Sequence, residues 1–408
     1  MEGTTLIIAT QQEVVTVQAT AGIDVRPGDI VELLADERSR ATDLRVLVRP
    51  ALPPANHDAS PARHPDISVV LAARSTMHSR IREFFHSRGF IEVPTPTLVP
   101  SPGMESTLTG FSTSYEDHTG FVRTLWLPTS PEFALKRALC GGMERIFEIR
   151  PVFRNRGEMG PLHHPEFTML EWYRAYEDYH AIMQDTEELV SRIARSLCPL
   201  RDTTFRGVSL RWEPPFPRLS VAEAFIRYSG IDLLAGLEDK DEFSRCCAGR
   251  LSHVSAGDDF CTLFHRIMVE LIEPHLGLEG PLVLYDYPLE LAALSVPKRN
   301  DPRLCERFEL YVAGVELANA FTEVNDPREM ALRIRQARAE QKNRGLAPTP
   351  VDAALLQAMR RGMPPAGGIA LGLDRLLMVM LGVEHICGIA PFSLHDEHSL
   401  SQRTGRLA

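Results

Sequence analysis

Residues 147–173 read FEIRPVFRNRGEMGPLHHPEFTMLEWY, and their pattern selects the fold class. The run RIFEIRPVF, which starts at Arg145, reads as a strand. The chain then returns in a second strand on which Phe167, Met169, Glu171 and Tyr173 share one parity. Between the two lies a polar loop with Arg154, Arg156, His163 and His164. Such a hairpin can aim Arg154 at a phosphate, offer the Phe167 ring to a flat base and line a pocket with Glu171 and Tyr173. A solvated arginine loop over a core hairpin would account for the same residues.

Working outward, helices and strands follow one another without regular βα alternation. Upstream, Val69, Val70, Met77, Ile81, Phe84 and Phe85 recur at helical spacing up to a stop at Arg88-Gly89. FIEVPTPTLVP follows, and Pro94 and Pro96 confine it to an edge or an interface strand. TLWLPT at 124–129 reads as a strand and Pro131 to Leu139 as a helix. Downstream, Tyr179, Ile182, Met183, Leu189, Val190, Ile193 and Leu197 form one face of an amphipathic helix. Thr262 to His275 predicts a further helix before the strand LVLYDYP. A hairpin, RFELYV-AG-VELANAF, a charged helix and the glycine-rich strand GGIALG running into LDRLLMVMLG complete the pattern. The expected class is α+β with a mainly antiparallel sheet.

The first 50 residues alternate β-branched runs with turn residues and read as a small β-rich segment. RPALPPANHDASPARHP makes residues 51–67 a proline-rich linker, which leaves 68–408 as one large domain. With 44% hydrophobic and 24% charged residues in 408, the chain is globular in composition. It has no run long enough to span a membrane and no basic leader ahead of an apolar stretch, so a cytoplasmic protein is expected. Seven cysteines without a C-x-x-C pair signal neither a disulfide framework nor zinc. A net charge of −10 disfavours a protein that coats nucleic acid through one basic face.

The common nucleotide signatures G-x-x-x-x-G-K-[ST] and G-x-G-x-x-G are missing, as is H-E-x-x-H. Three other places can carry chemistry. Gly368 and Gly372 end a small-residue strand, and Arg375 stands in the first turn of the next helix, where a flat anionic ligand can approach. Tight strand–helix packing with Arg375 in an ion pair would look the same. Glu316 and Glu323 flank Asn319 in VELANAFTEVND. On a straight strand they stand roughly 23 Å apart, so they share an ion only if the chain bends, with Asn319-Ala320 the expected place. Such a pair suits Mg²⁺ on phosphates; two unrelated surface glutamates are the other reading. Finally, in Thr129-Ser130-Pro131-Glu132-Phe133, Ser130 suits a helix N-cap with Pro131 at the first helical position, and Glu132 can meet an ammonium group.

Taken in order, these elements resemble the catalytic domain of a class II aminoacyl-tRNA synthetase. EVPTPTL resembles the dimer-forming motif 1, FRNRGEMGPLHHPEFTMLEWY motif 2 and GGIALGLDRLLMVMLG motif 3. TSPEFALKR, HHPEFTMLEWY, GVELANAFTEVND and ALGLDR place the resemblance, over about residues 70–393, in the lysine group. EWYR, the SPGMES segment and Ala370 in ALGLDR resemble the compact paralogue that attaches (R)-β-lysine to a lysine of elongation factor P. Only about 65 residues precede the catalytic part, fewer than an anticodon-binding barrel takes, so the ligase is expected over a lysyl-tRNA synthetase with a truncated anticodon-binding region. Four departures from the pattern stand out: Arg156 occupies the glutamate position of R-x-E, with Glu158 displaced; His164 replaces asparagine; Ala320 replaces glycine; and the N-terminal strands are extra.

The resemblance implies ATP and Mg²⁺ as cofactors, (R)-β-lysine or lysine as substrate and elongation factor P as acceptor. It further implies a homodimer, no productive tRNA charging and no membrane partner. It assigns Arg154 to the α-phosphate and the attacking carboxylate, and Arg375 to the adenine, opposite Phe167, and the γ-phosphate. Asn155, Arg156, His164, Leu317, Asn319 and Gly372 become nucleotide contacts, with Glu316 and Glu323 holding Mg²⁺. Ser130, Pro131, Glu132, Tyr173 and Glu323 become the diamino-acid pocket.

Overall fold

The computed structural model describes residues 67–390, apart from 106–107, 158–159, 199–202 and 256, together with four strands in the first 48 residues. The chain divides into two compact units, Met1–Ala62 and Arg63–Ala408. In the first, β1 (Thr4–Ala9) pairs antiparallel with β2 (Val14–Ala19), and β3 (Ile30–Ala35) with β4 (Ala41–Val48). The linker expected at 51–67 lies, except for Ile67, outside the described residues.

The second unit opens with α1 (Ile67–His86), followed by the edge strand β5 (Ile91–Glu92). A hairpin of β6 (Ser112–Glu116) and β7 (Val122–Trp126) leads to α2 (Glu132–Cys140). The central hairpin is β8 (Arg145–Phe153) and β9 (Glu166–Ala175), and α3 (Tyr179–Leu197) follows it. A small hairpin, β10 (Thr203–Phe205) with β11 (Val208–Leu210), precedes β12 (Arg218–Ser220). Then come β13 (Leu282–Pro288), β14 (Leu304–Val312), β15 (Val315–Thr322) and β16 (Ala366–Gly372).

Eight strands form one sheet in the order β12-β13-β14-β15-β16-β9-β8-β5. It is antiparallel except at its edges, where β12 runs parallel to β13 and β5 to β8. This is the class II synthetase-like α+β fold. FIEVPTPTLVP makes only a two-residue strand before its prolines end the ladder. The helix expected over Thr262–His275 is broken: Phe260–Ile267 is α-helical, Met268–Ile272 widens to a π-turn and Glu273–His275 tightens to 3₁₀ around Pro274.

The two faces of the sheet have different fates. On one, Leu170, Trp172, Ile369, Leu371, Phe308 and Leu310 are buried with residues of α1, α3 and the helix Leu373–Met380. The stacked Phe85 and Phe147 rings, 4.6 Å apart, belong to this core. The other face carries the polar residues, and register aligns them: Glu309 lies opposite Asn319, Asn319 opposite Ala370, and Ala370 opposite Glu171.

An irregularity in β15 decides which face Glu316 joins. Leu310 pairs with Ala318 but Tyr311 pairs with Glu316, so Leu317 is an extra residue in the strand. The bulge reverses the alternation, and Glu316 therefore shares a face with Asn319 and Phe321 instead of entering the core. The departure from a regular strand expected at Asn319-Ala320 thus falls at Leu317; Asn319 and Ala320 pair regularly with Glu309 and Phe308.

Candidate active site

The polar face lines a cavity of about 1170 Å³, room for a nucleotide and a small substrate together. Every residue expected at the site lies on its wall except Pro131. Pro131 is instead the N-cap of α2, its carbonyl accepting from the amides of Ala134 and Leu135 at 3.0 Å.

One end of the cavity is the loop between β8 and β9. The Arg154 amide donates to the Pro165 carbonyl (2.9 Å), which closes the loop's neck, and its guanidinium stands 5.1 Å from the Phe167 ring centre. The Asn155 amide donates to the Thr109 carbonyl (2.7 Å), and its side-chain oxygen accepts from the Arg156 amide (2.9 Å). Arg156 itself has φ +57°, a left-handed turn that steers the chain away from the strand. The His164 ring Nδ1 lies 2.6 Å from the Glu166 carbonyl.

Arg375 closes the opposite wall of this end. It donates to the carbonyls of Glu316 (2.9 Å) and Leu162 (3.2 Å), and its Nη2 meets His163 Nε2 at 2.9 Å. Gly372 caps the helix start without crowding, since a Cβ there would meet only the Leu317 carbonyl oxygen, at 3.7 Å, and Arg375 Cβ, at 4.0 Å. The neighbouring Asp374 is buried and pairs with Arg74 of α1 at 2.5 Å, while its second oxygen accepts from the Thr168 amide (2.6 Å). Arg74 also reaches the Ile389 carbonyl (2.8 Å). One arginine of α1 thereby ties the loop hairpin to the helix that carries Arg375.

The other end is drier. Ser130 Oγ donates to Glu171 Oε1 (2.5 Å) and Tyr173 Oη to Glu171 Oε2 (3.0 Å). Ser130 also accepts from the Glu132 amide (3.0 Å), but helix α2 begins one residue later than the sequence pattern suggests, and the hydroxyl's proton goes to the pocket. Burial, with Glu132 nearby, pushes the Glu171 carboxyl up to about 8. Burial does the same to Glu323, also up to about 8, against the opposing pull of Lys136.

Glu316 and Glu323 line the same cavity with different neighbours. Glu316 lies 4.0 Å from Arg375, its side chain 43% exposed, whereas Glu323 is 1% exposed and pairs through Oε2 with Lys136 Nζ at 2.6 Å. Glu323 Oε1 is buried without a hydrogen bond.

Sequence reasoning missed three supporting residues. Lys136 is fully buried between Glu132 and Glu323. Arg307 donates to Asn319 Oδ1 (3.1 Å) and to Glu309 (2.6 Å), and Glu309 also accepts from the hydroxyls of Tyr287 (2.6 Å) and Tyr311 (2.8 Å). The shared parity of Arg307, Glu309 and Tyr311 in RFELYV was the available signal, because an alternating strand puts all three on one face.

The polar face of the antiparallel sheet thus lines one cavity, with arginines at one end and buried carboxylates at the other. The chain belongs to the class II tRNA synthetases: the family model for tRNA synthetases class II (D, K and N) matches residues 56–396. Within that family it is similar to the lysine–tRNA ligase of Moorella thermoacetica, at 36% identity over 317 residues. The match covers 78% of this chain and 63% of that relative, so the chain spans under two thirds of its length.

Proposed function

We propose that the protein activates a diamino acid, (R)-β-lysine or lysine, with ATP and passes it to a lysine side chain of elongation factor P. The carrying observation is the dry end of the cavity, where Glu132, Glu171 and Glu323 gather around Ser130 and Tyr173. Buried carboxylates ask for cations, and a substrate that lacks them leaves desolvated groups unpaired. EWYR after the second strand of the central hairpin, SPGMES, and Ala370 on the pocket wall support the β-lysine ligase over its relatives.

In the first step the substrate carboxylate attacks the α-phosphorus of ATP, and the bond to the β-phosphate breaks with pyrophosphate leaving. In the second, the acceptor amine attacks the acyl carbon and AMP leaves. Catalysis is positioning and charge neutralisation. Arg154 holds the α-phosphate and the attacking carboxylate; Phe167 and Arg375 hold the adenine, with Arg375 reaching the γ-phosphate. Asn155, Arg156, His164, Leu317, Asn319 and Gly372 line the nucleotide's path. The donor set fits Mg²⁺, because Glu316 opens to the cavity and Glu323 Oε1 lacks a protein partner. Mg²⁺ held there would neutralise charge on the phosphates.

The match to a lysine–tRNA ligase favours a second reading, lysyl-tRNA synthesis at the same site. The test offers tRNA and unmodified elongation factor P in equal amounts with ATP and labelled lysine or (R)-β-lysine. Label is expected on the protein; label chiefly on tRNA would establish the second reading.

A homodimer belongs to the same proposal. Ile67, Val69 and Leu71 of α1 are exposed, as are Ile91 and Leu98 after it, an apolar set suited to an isologous contact. Sedimentation should give a dimer that survives removal of residues 1–62; a monomeric core would count against it.

A further inference from the structure

We propose that Lys136 is a specificity-determining positioning residue: an ammonium built into the protein, which engages two of the three pocket carboxylates and leaves charge for a substrate with two ammonium groups.

Lys136 is 0% exposed and stands 2.6 Å from both Glu132 Oε1 and Glu323 Oε2. The Glu132 contact alone would be an ordinary pair one helical turn apart, worth little on a wet surface. Here the lysine is fully buried and the second partner comes from another element, the residue that follows β15. The ring of Phe321, on the cavity wall, lies 5.7 Å from the same Nζ. Desolvating a lysine is costly unless its charge is matched, and both matching groups line the cavity while Lys136 lies behind them.

The charge count gives the consequence. Glu132, Glu171 and Glu323 carry three negative charges when ionised, and Lys136 cancels one. Counting Lys136 against Glu323, the carboxylate that also reaches toward Mg²⁺, Glu132 and Glu171 remain for the two ammonium groups of a diamino acid whose own carboxylate goes to Arg154. A monoamino acid would leave one carboxylate without a cation. Lys136 also meets Glu323 through Oε2, and Oε1 is left buried without a hydrogen bond. Without Lys136 both acidic side chains lose their anchor. The inference rests on the amino-acid-activating reading above.

The test uses the full chain and measures ATP–pyrophosphate exchange with lysine, (R)-β-lysine and norleucine, which lacks the second amine. Lys136→Met is expected to raise KM for the diamino acid about 30-fold while KM for ATP stays within about threefold, and to narrow the preference over norleucine about tenfold. In Lys136→Ala, propylammonium, the missing part of the side chain, should restore exchange where propanol does not. If Lys136→Met does not fold, the same constants from Lys136→Gln decide. Unchanged KM for the diamino acid, equal effects on both substrates, or equal rescue by propanol would each overturn the proposal. A parent enzyme that shows no amino-acid-dependent exchange would instead overturn the functional reading on which it rests.

Discussion

Glu323→Gln is expected to lower amino-acid-dependent ATP–pyrophosphate exchange by at least about 1000-fold, with the fold intact. The side chain is 1% exposed, and one oxygen pairs with Lys136 while the other is buried without a hydrogen bond. An amide keeps the shape and removes the charge. It puts an N–H donor or an uncharged oxygen against the Lys136 ammonium, and it gives a divalent cation a much poorer partner. Thermal unfolding should shift by only a few degrees, because the volume at this dry end is conserved. Exchange within tenfold of the parent at ordinary Mg²⁺ would sink the assignment of Glu323 to the reaction.

Gly368→Ala is expected to lower exchange by about 100-fold or more through KM for the amino acid, although it adds only one methyl group. A Cβ at this position would overlap Glu323 Oε1 and would sit 2.6 Å from Tyr173 Cδ1, inside van der Waals contact. Gly368 lies directly opposite Tyr173 in the β16–β9 ladder, so neither side chain can move aside without leaving the pocket. Displacing them by about 1 Å is enough to disorder a site that works by positioning. Measured KM for ATP should change little, since Arg154 and Phe167 stand at the other end of the cavity. If the Gly368→Ala variant keeps the parent's KM for lysine, Tyr173 and Glu323 do not face the amino acid.

Much of this architecture is legible in the order of residues. Phe167, Met169, Glu171 and Tyr173 declare their shared face by parity alone, and the register with β16 adds Gly368 and Ala370 to it. The central hairpin and the amphipathic α3 follow from periodicity because one side of each must enter the core. Less was readable where tertiary context overrides local pattern. Lys136, one turn after Glu132, looks like half of a solvated helix pair, and nothing nearby in the sequence says that Glu323 will close over it. Ser130 has the chemistry of a helix cap, yet its proton goes to Glu171 on another element. The break after Ile267 was equally hidden, since the apolar spacing of the helix runs on through Met268 and Ile272. Leu317 gives no local sign that it is the odd residue of its strand. A bulge is set by how two strands share length and twist, which neither encodes alone.

That one extra leucine works like a frameshift written in space. Flatten the bulge so that Leu317 takes an ordinary place in the ladder, and every residue of β15 before it exchanges faces: Glu316 would turn toward the helices at the back, and Val315 would turn to the cavity. Delete Leu317 outright and the ladder closes as a regular strand that still sets Glu316 opposite Tyr311, on the cavity face. The face that Glu316 joins is therefore set by its pairing with Tyr311, and the residue between Glu316 and Ala318 is accommodated outside the ladder. The constraint belongs to the register of the two strands more than to the residue that stands outside it.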